Sequence, residues 1–565
     1  MANWESYRVS DVVADIDDRK YVLPVIQRRL VWSFDKMELL FDTLLKGDSF
    51  GGIMVIKEEK NNEPLFSFRP FTKTGDPIDS IQVDQLGQSQ SFVIDGQQRL
   101  QTFYIGLLGS LDGRILYFDL FSNYTAEFEF KFESDHTKLP NVARSDSPKT
   151  IKHYLWLPVN SLLKDLKLTS NEKTTAKRII ADRKITNESE KDHVFENVAA
   201  FYRNILCNKS LGISEVALDK TFDKAQNRQR IVELFRRLND GGTRLSPFDL
   251  VASLLKSFEW QMEGFLDDTL NDFADIGLDQ DNLIKLVFIL QDDPTKELTD
   301  ICATDATFAI AQRQRIKATL SCVRQFLKAS ELYYFYKDSN RSFVPLFFVA
   351  YHMFHKAESD AQLVSYFDDF DANNPEFARI RKWINYSLLN GVFRSKGAGW
   401  IPYRTGVRKL LGRIRLSKKA DFPVEGLFDV YKAHGVTFTD TFDVSMLDSL
   451  DASFIFYLMY DRKQTIRVQD IDHIMPKSRL SDAKVEWNQI NSIRNYQLLD
   501  YGTNRGEKNA SPFKTWLCTK VTDKASFITR HLIPNDESLW DESAFAAFSN
   551  ERAALIFGKI QTYIL

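Results

Sequence analysis

The spacing of apolar positions changes character along the chain. In roughly the first 160 residues, short runs rich in β-branched and aromatic residues read as strands: Gly52 to Lys57 (GIMVIK), Ser91 to Ile94, Ile115 to Leu120 and Glu127 to Phe132 (EFEFKF). Between them, Lys36 to Leu45 and Leu100 to Leu108 repeat apolar residues at helical spacing. This part is predicted to be an α/β unit. From about Leu162 to Leu416 the pattern becomes mainly helical, clearest in Gln229–Leu238, Pro247–Phe258, Asp281–Leu290 and Phe343–Phe354. The turn Asn239-Asp240-Gly241-Gly242 should stop one helix. Ser246-Pro247 should start the next, with a capping hydroxyl and a proline suited to the first helical position. After about Asp421 comes a final region that holds the densest cluster of polar motifs. No repeat or low-complexity tract interrupts the sequence, and no Gly/Ser/Pro linker marks a sharp boundary.

Length and composition narrow the classes. A chain of 565 residues exceeds one compact core, so an α+β multidomain protein is expected. Phe is abundant at 44 copies, which favours a packed interior over disorder. The net charge of −3 means that any nucleic-acid surface must be a local patch. Residues Met1 to Lys20 carry four aspartates and no apolar run, unlike a signal or transit peptide. Phe343–Phe354, the longest apolar stretch, is too short to cross a bilayer. The four cysteines, Cys207, Cys302, Cys322 and Cys518, are far apart and form no C-x-x-C pair, against a disulfide framework or cysteine zinc site. A cytoplasmic location is expected, with no membrane partner.

Candidate chemistry concentrates near the C-terminal end. Asp470-Ile471-Asp472-His473-Ile474-Met475-Pro476 places an acid directly before a histidine in a strand-like context. Downstream follow Asn495 (RNYQLL) and the run Asn504-Arg505-Gly506-Glu507-Lys508. Phosphodiester hydrolysis needs an activated water and a divalent cation. Mg²⁺ keeps several waters, so one carboxylate and one amide oxygen suffice as protein ligands. A neutral histidine serves as base near neutral pH. Asp472, His473 and Asn504 supply those parts. A lone Asp-His pair is more often a core histidine with turn-forming neighbours, but the ordered set is more specific. It resembles HNH, or ββα-metal, nucleases, closely so the HNH domain of RNA-guided CRISPR effectors. The resemblance implies that His473 is the general base and that Asp472 and Asn504 hold Mg²⁺ or Mn²⁺. Asn495 would brace the loop carrying the histidine. Asp470 is a weaker candidate for support, and Arg505 and Lys508 would contact phosphate. The sequence departs from relatives that have Glu before the histidine and Gly-Asn-Leu at the middle asparagine, with Asp472 and Arg494-Asn495-Tyr496 in their place.

A second constellation lies near the start. Ile94-Asp95-Gly96-Gln97-Gln98-Arg99 follows a strand and opens a helix, a turn that presents free backbone N–H groups to an anion. Gly96 permits close approach, Arg99 can grip phosphate oxygens and Asp95 could hold a metal. Pro24-Val25-Ile26-Gln27-Arg28 adds another guanidinium and an amide. Glu233, Arg237, Asn239 and Gly241-Gly242-Thr243 form a third cluster. Taken singly, each reads as a helix cap with a surface charge. Together and in this order they resemble the N-terminal domain of GmrSD-type restriction proteins, with its D-G-Q-Q-R signature. That domain is similar to ParB/sulfiredoxin folds, and the resemblance implies binding and hydrolysis of a nucleoside triphosphate. Gln27, Arg28, Asp95, Gly96, Gln97, Gln98 and Arg99 would form the site, completed by Arg237, Asn239 and Thr243.

The resemblances imply three domains: 1–262, ParB/sulfiredoxin-like with a helical extension; 263–425, a helical DNA-contact region; and 426–565, an HNH domain. The implied function is a modification-dependent (type IV-like) DNA endonuclease of anti-phage defence, regulated by a nucleoside triphosphate. Its partners would be modified phage DNA and the nucleotide, and a homodimer would let a single-strand-cutting centre cut both strands. Between Phe393 and Ala420, nine basic residues run without an acid, among them Arg404, Arg408, Lys409, Arg413 and Arg415, beside Trp400 and Tyr403. They suit a phosphate-tracking surface. The bland counterpart is a solvated helix face. His352, His355 and His531 lack ligand-spaced companions and read as structural. A nucleotide- or DNA-binding regulator with an inactive nuclease, or a toxin nuclease neutralised by a partner, remain alternatives.

Overall fold

The computed structural model describes residues 4–27, 30–76, 78, 80–144, 151–239, 246–294, 296, 300–337, 341–367, 375–393, 403–434, 436, 438–460, 469–500 and 502–564. The chain packs as two compact units, residues 1–264 with 301–307, and residues 265–300 with 308–565. Both helices and sheets are present, so the molecule is α+β.

The strands, in chain order, are β1 (Trp4–Tyr7), β2 (Tyr21–Pro24), β3 (Ile53–Glu58), β4 (Phe68–Pro70), β5 (Gln90–Asp95), β6 (Ile115–Asp119), β7 (Phe130–Glu133), β8 (Val142–Arg144), β9 (Ile151–His153), β10 (Trp156–Pro158), β11 (Leu211–Glu215), β12 (Gln469–His473) and β13 (Tyr496–Asp500). In the first unit a mixed six-stranded sheet runs β1-β11-β3-β5-β2-β4, and a three-stranded antiparallel sheet runs β10-β6-β7. The helices α1 (Val9–Asp17), α2 (Phe34–Lys46) and α3 (Gln97–Leu108) share one apolar core with both sheets. Helix α2 shows why. Met37, Leu40, Phe41, Leu44 and Leu45 fall on one stripe and are buried, and Gly47 ends the helix in the left-handed conformation at φ +77°. Phe41 meets Phe103 of α3 edge-on at 5.7 Å, and Phe118 of β6 stacks on Phe130 of β7 at 4.5 Å.

The predicted strands at 52–57, 91–94, 115–120 and 127–132 correspond to β3, β5, β6 and β7. Strand β11 falls inside the stretch read as helical. It pairs parallel with β3 and antiparallel with β1, and five residues are too few for alternation to stand out from surrounding helices. The capping expectation at Ser246 is met in both directions: Asp249 N donates to Ser246 Oγ (3.0 Å), and Ser246 N to the Asp249 carboxylate (2.9 Å). The Gly241-Gly242 turn lies outside the described residues.

The second unit is mainly helical. Its one sheet among the described residues is the antiparallel hairpin β12–β13, with Asp472 opposite Gln497 and His473 opposite Tyr496. A small core built on Ile474, Met475, Leu480, Trp516, Leu517 and Phe548 underlies it. No helix among the described residues is long and apolar enough to cross a membrane.

Candidate functional sites

At the N-terminal site, β5 ends at Asp95, Gly96 turns the chain at φ +85°, and α3 begins at Gln97. The first turn of α3 therefore offers backbone N–H groups. Gln27 is buried, its amide donating to Val93 O (3.1 Å) and Ile94 O. Gln98 accepts from Val31 N (2.9 Å), and Gln97 is buried beside it. The glutamines thus shape the turn from within. Arg99 turns back to donate to Phe50 O (3.3 Å) and Gly52 O (2.6 Å), and pairs with Asp95 at 3.3 Å. Two glycines make room for it: a Cβ on Gly51, at φ +89°, would lie 2.8 Å from the Arg99 guanidinium, and one on Gly96 3.1 Å from it. Arg69 donates to Gln27 O (2.7 Å) and pairs with buried Glu263, which also accepts from Ser80. Arg237 pairs with Glu233 one turn away on its own exposed helix face. Arg28 and Thr243, and the side chain of Asn239, lie outside the described residues.

At the C-terminal site, Asp470 and Asp472 alternate with Ile471 and His473 along β12. Both acids meet the turn Thr503–Lys508 that follows β13. Asp472 Oδ2 pairs with Lys508 Nζ at 2.9 Å and accepts from Gln497 Nε2 at 2.8 Å. Lys508, expected to contact phosphate, is instead wholly buried and also donates to His473 O (2.6 Å). Burial holds its pKa below the ordinary lysine value, against the pull of Asp472. Asn504 Nδ2 donates to Asp470 Oδ2 at 3.5 Å, and exposed Arg505 donates to the same oxygen at 3.1 Å. His473 is half-buried; its Nε2 lies 3.0 Å from Asn491 Oδ1, and its ring meets Tyr496 edge-on at 5.0 Å. Burial lowers its pKa, opposed by the Asn491 bond and by Asp472. Asn495, fully buried, donates to Met475 O and Ile490 O (both 3.1 Å) and accepts from Met475 N (3.0 Å), while its own carbonyl accepts from Ile474 N (2.7 Å). It therefore pins the residues that follow His473.

Residues 9–256 match the family model described as GmrSD restriction endonuclease, N-terminal domain. The N-terminal unit is similar to that domain over most of its length. Comparison of the chain with curated proteins finds no match. The match spans the D-G-Q-Q-R turn and Gln27, and ends inside the helix Pro247–Phe258 of the first unit.

Each site can be tested against the group its chemistry implies. At the turn Asp95–Arg99, a helix start and a guanidinium are the kinds of group that hold a phosphate, the guanidinium being engaged here by Phe50 O, Gly52 O and Asp95. At β12, no group of three or more His, Cys, Asp or Glu side chains among the described residues converges to hold a metal ion. Mg²⁺ does not need one. Asp470, Asp472 and Asn504 are oxygen donors around one turn, and Asp472 Oδ1 is not engaged by Lys508 or Gln497. These donors fit a hydrated divalent cation, in competition with Lys508 and Arg505 for the carboxylates.

The basic stretch forms the helix Tyr403–Arg415, which buries Val407, Leu410, Leu411 and Ile414 and exposes Arg408, Lys409, Arg413 and Arg415. The side chain of Arg404 lies outside the described residues. His352 binds Glu376 at 3.0 Å, His355 binds Leu290 O at 3.1 Å, and His531 binds the Tyr460 hydroxyl at 2.8 Å. These three are packing histidines. Sequence reasoning missed Gly51, Arg69 and Glu263 in the first unit, and Asn491, Gln497 and Arg552 in the second. Gly51-Gly52 before a strand was a usable signal. Gln497 becomes visible only once the hairpin register sets it opposite Asp472. Arg552, fully buried, donates to the carbonyls of Ile493, Arg494, Tyr496 and His531 and so clamps the segment carrying Asn495. Nothing in its local sequence distinguishes it.

Proposed function

We propose that this GmrSD-type protein is a metal-dependent DNA endonuclease with an HNH-type centre at β12, β13 and the turn 503–508. The observation that supports this most is Asn495, whose three side-chain hydrogen bonds fix the peptide after His473 while the acids of β12 meet Asn504 and Lys508. That is the division of labour an HNH centre requires: one asparagine braces, another joins the carboxylates. A divalent cation held by Asp472 and Asn504, with Asp470 beside them, would neutralise charge developing on the scissile phosphate. His473, kept neutral by partial burial, takes the proton from the attacking water. Arg505, exposed at the rim, reaches phosphate once it leaves Asp470. The basic face of the helix Tyr403–Arg415 binds the DNA backbone.

The GmrSD domain binds and hydrolyses a nucleoside triphosphate at the start of α3 and controls cutting, with modified DNA of phage as target and the cytoplasm as setting. Plasmid and modified-DNA cleavage with Mg²⁺ or Mn²⁺, with and without nucleoside triphosphates, tests the reading. Dependence on both metal and nucleotide supports it, and cleavage insensitive to nucleotide removes the control. One observation favours a second reading, a DNA-binding regulator: the Lys508 ammonium already occupies Asp472. Under that reading, Mn²⁺ would not bind the folded protein.

A further inference from the structure

Asn491 fixes which nitrogen of His473 can act. Its Nδ2 donates to Trp487 O at 2.8 Å. A backbone carbonyl only accepts, so the amide orientation is set and Oδ1 is the atom facing His473 Nε2 at 3.0 Å. An amide oxygen also only accepts. The Tyr496 hydroxyl, 3.4 Å from the same Oδ1, is a further donor to it. A lone pair on Nε2 would face the lone pairs of Oδ1, so Nε2 must carry the hydrogen. In the neutral imidazole the basic lone pair then lies on Nδ1, which has no hydrogen-bond partner among the described residues.

We propose that Asn491 is a positioning residue that holds His473 in the Nε2–H tautomer and aims Nδ1 at the nucleophilic water. The hydrogen bond at the far nitrogen sets tautomer and ring angle, as a buried acceptor does for a catalytic imidazole generally. Asn491 caps the short helix Trp487–Ile490, whose first residue, Trp487, is exposed. The acceptor that sets the base is therefore anchored to a surface element. In the reaction, the proton of the attacking water passes to Nδ1, and the water oxygen forms the bond to phosphorus as the leaving oxygen departs. Asn491 touches neither.

This inference rests on His473 being the general base. The test uses the full chain labelled with ¹⁵N-histidine, His473 being assigned by its loss in His473→Ala. Wild type should show an unprotonated Nδ1 and a protonated Nε2. Asn491→Ala should melt like wild type, lose that preference, and lower kcat on the order of tenfold or more with KM for DNA little changed. Asn491→Asp keeps an acceptor toward Nε2 and should restore the tautomer. A wild-type Nδ1–H tautomer, or an Asn491→Ala protein with wild-type tautomer and kcat, overturns the inference. His473→Ala separates the two levels: undiminished cutting there overturns the nuclease reading and this inference with it. Lost cutting there, with Asn491→Ala equal to wild type, overturns the inference alone.

Discussion

At the scale of single residues, the second unit relies on buried polar side chains that bond to backbone groups. Asn495 uses both amide hydrogens and its carbonyl oxygen on backbone partners. Asn495→Ala strands two carbonyls and an N–H, and should destabilise the unit by about 2–3 kcal/mol. Urea unfolding measures this, and an unchanged midpoint would contradict the bracing role. His531 carries a pH signature. Burial, with Arg530 and Arg552 near, depresses its pKa to about 3. The unfolded chain, near the ordinary histidine value of about 6.5, takes up a proton first as pH falls. Its contribution to stability is thus complete above about 6.5 and lost as pH falls toward 3, roughly 2–3 kcal/mol by pH 4.5. His531→Gln should flatten the acid side of the melting profile; an unaltered slope between pH 7 and 4.5 would count against it. Asp472, His473, Asn495 and Asn504 stood out in the sequence by type and order, and the structure brings them to β12, the position just before β13 and the turn 503–508. Asn491 and Gln497 did not, since they are defined by which residue the hairpin register and a four-residue helix bring opposite.

At the scale of elements, apolar periodicity revealed the strands and helices that bury a whole face, such as α2 and β5. It missed β11, whose partners β1 and β3 lie more than 150 residues away in the chain. Its place depends on sheet pairing that no local pattern encodes. The C-terminal helix Phe545–Ile564 gives the same lesson through Arg552, an arginine on an otherwise apolar face. Its guanidinium reaches four carbonyls, so Arg552→Met should destabilise the unit by about 3 kcal/mol or more despite the similar volume. Chemical unfolding tests it, and a change of a few tenths would show the clamp to be dispensable. In the first unit, Gly96 must take φ +85°, and a Cβ there would stand 2.3 Å from the end of Ile53. Gly96→Ala should cost about 1–3 kcal/mol and disturb Arg99. A variant with wild-type stability and nucleotide affinity would mean that the turn relaxes freely.

At the scale of the whole molecule, the first unit and the second unit each hold a cluster of engaged polar side chains, and the proposed function links them. The motifs at the two ends drew attention to both polar clusters, while the long helical middle announced little beyond its basic stretch. Packing puts one division near residue 264, where the sequence offered no composition shift to mark it. Coupling has its own test: Arg99→Ala should abolish the nucleotide response of cutting and leave His473-dependent cleavage chemistry in place. A wild-type nucleotide response in Arg99→Ala would separate the guanidinium from control. The central claim, that His473 serves a nuclease centre, is tested most directly by DNA cleavage with Mg²⁺ or Mn²⁺ in matched wild-type and His473→Ala proteins of equal melting temperature. His473→Ala should lose rate on the order of a hundredfold or more. Equal cleavage by the two proteins, on a substrate the wild type cuts, would contradict it.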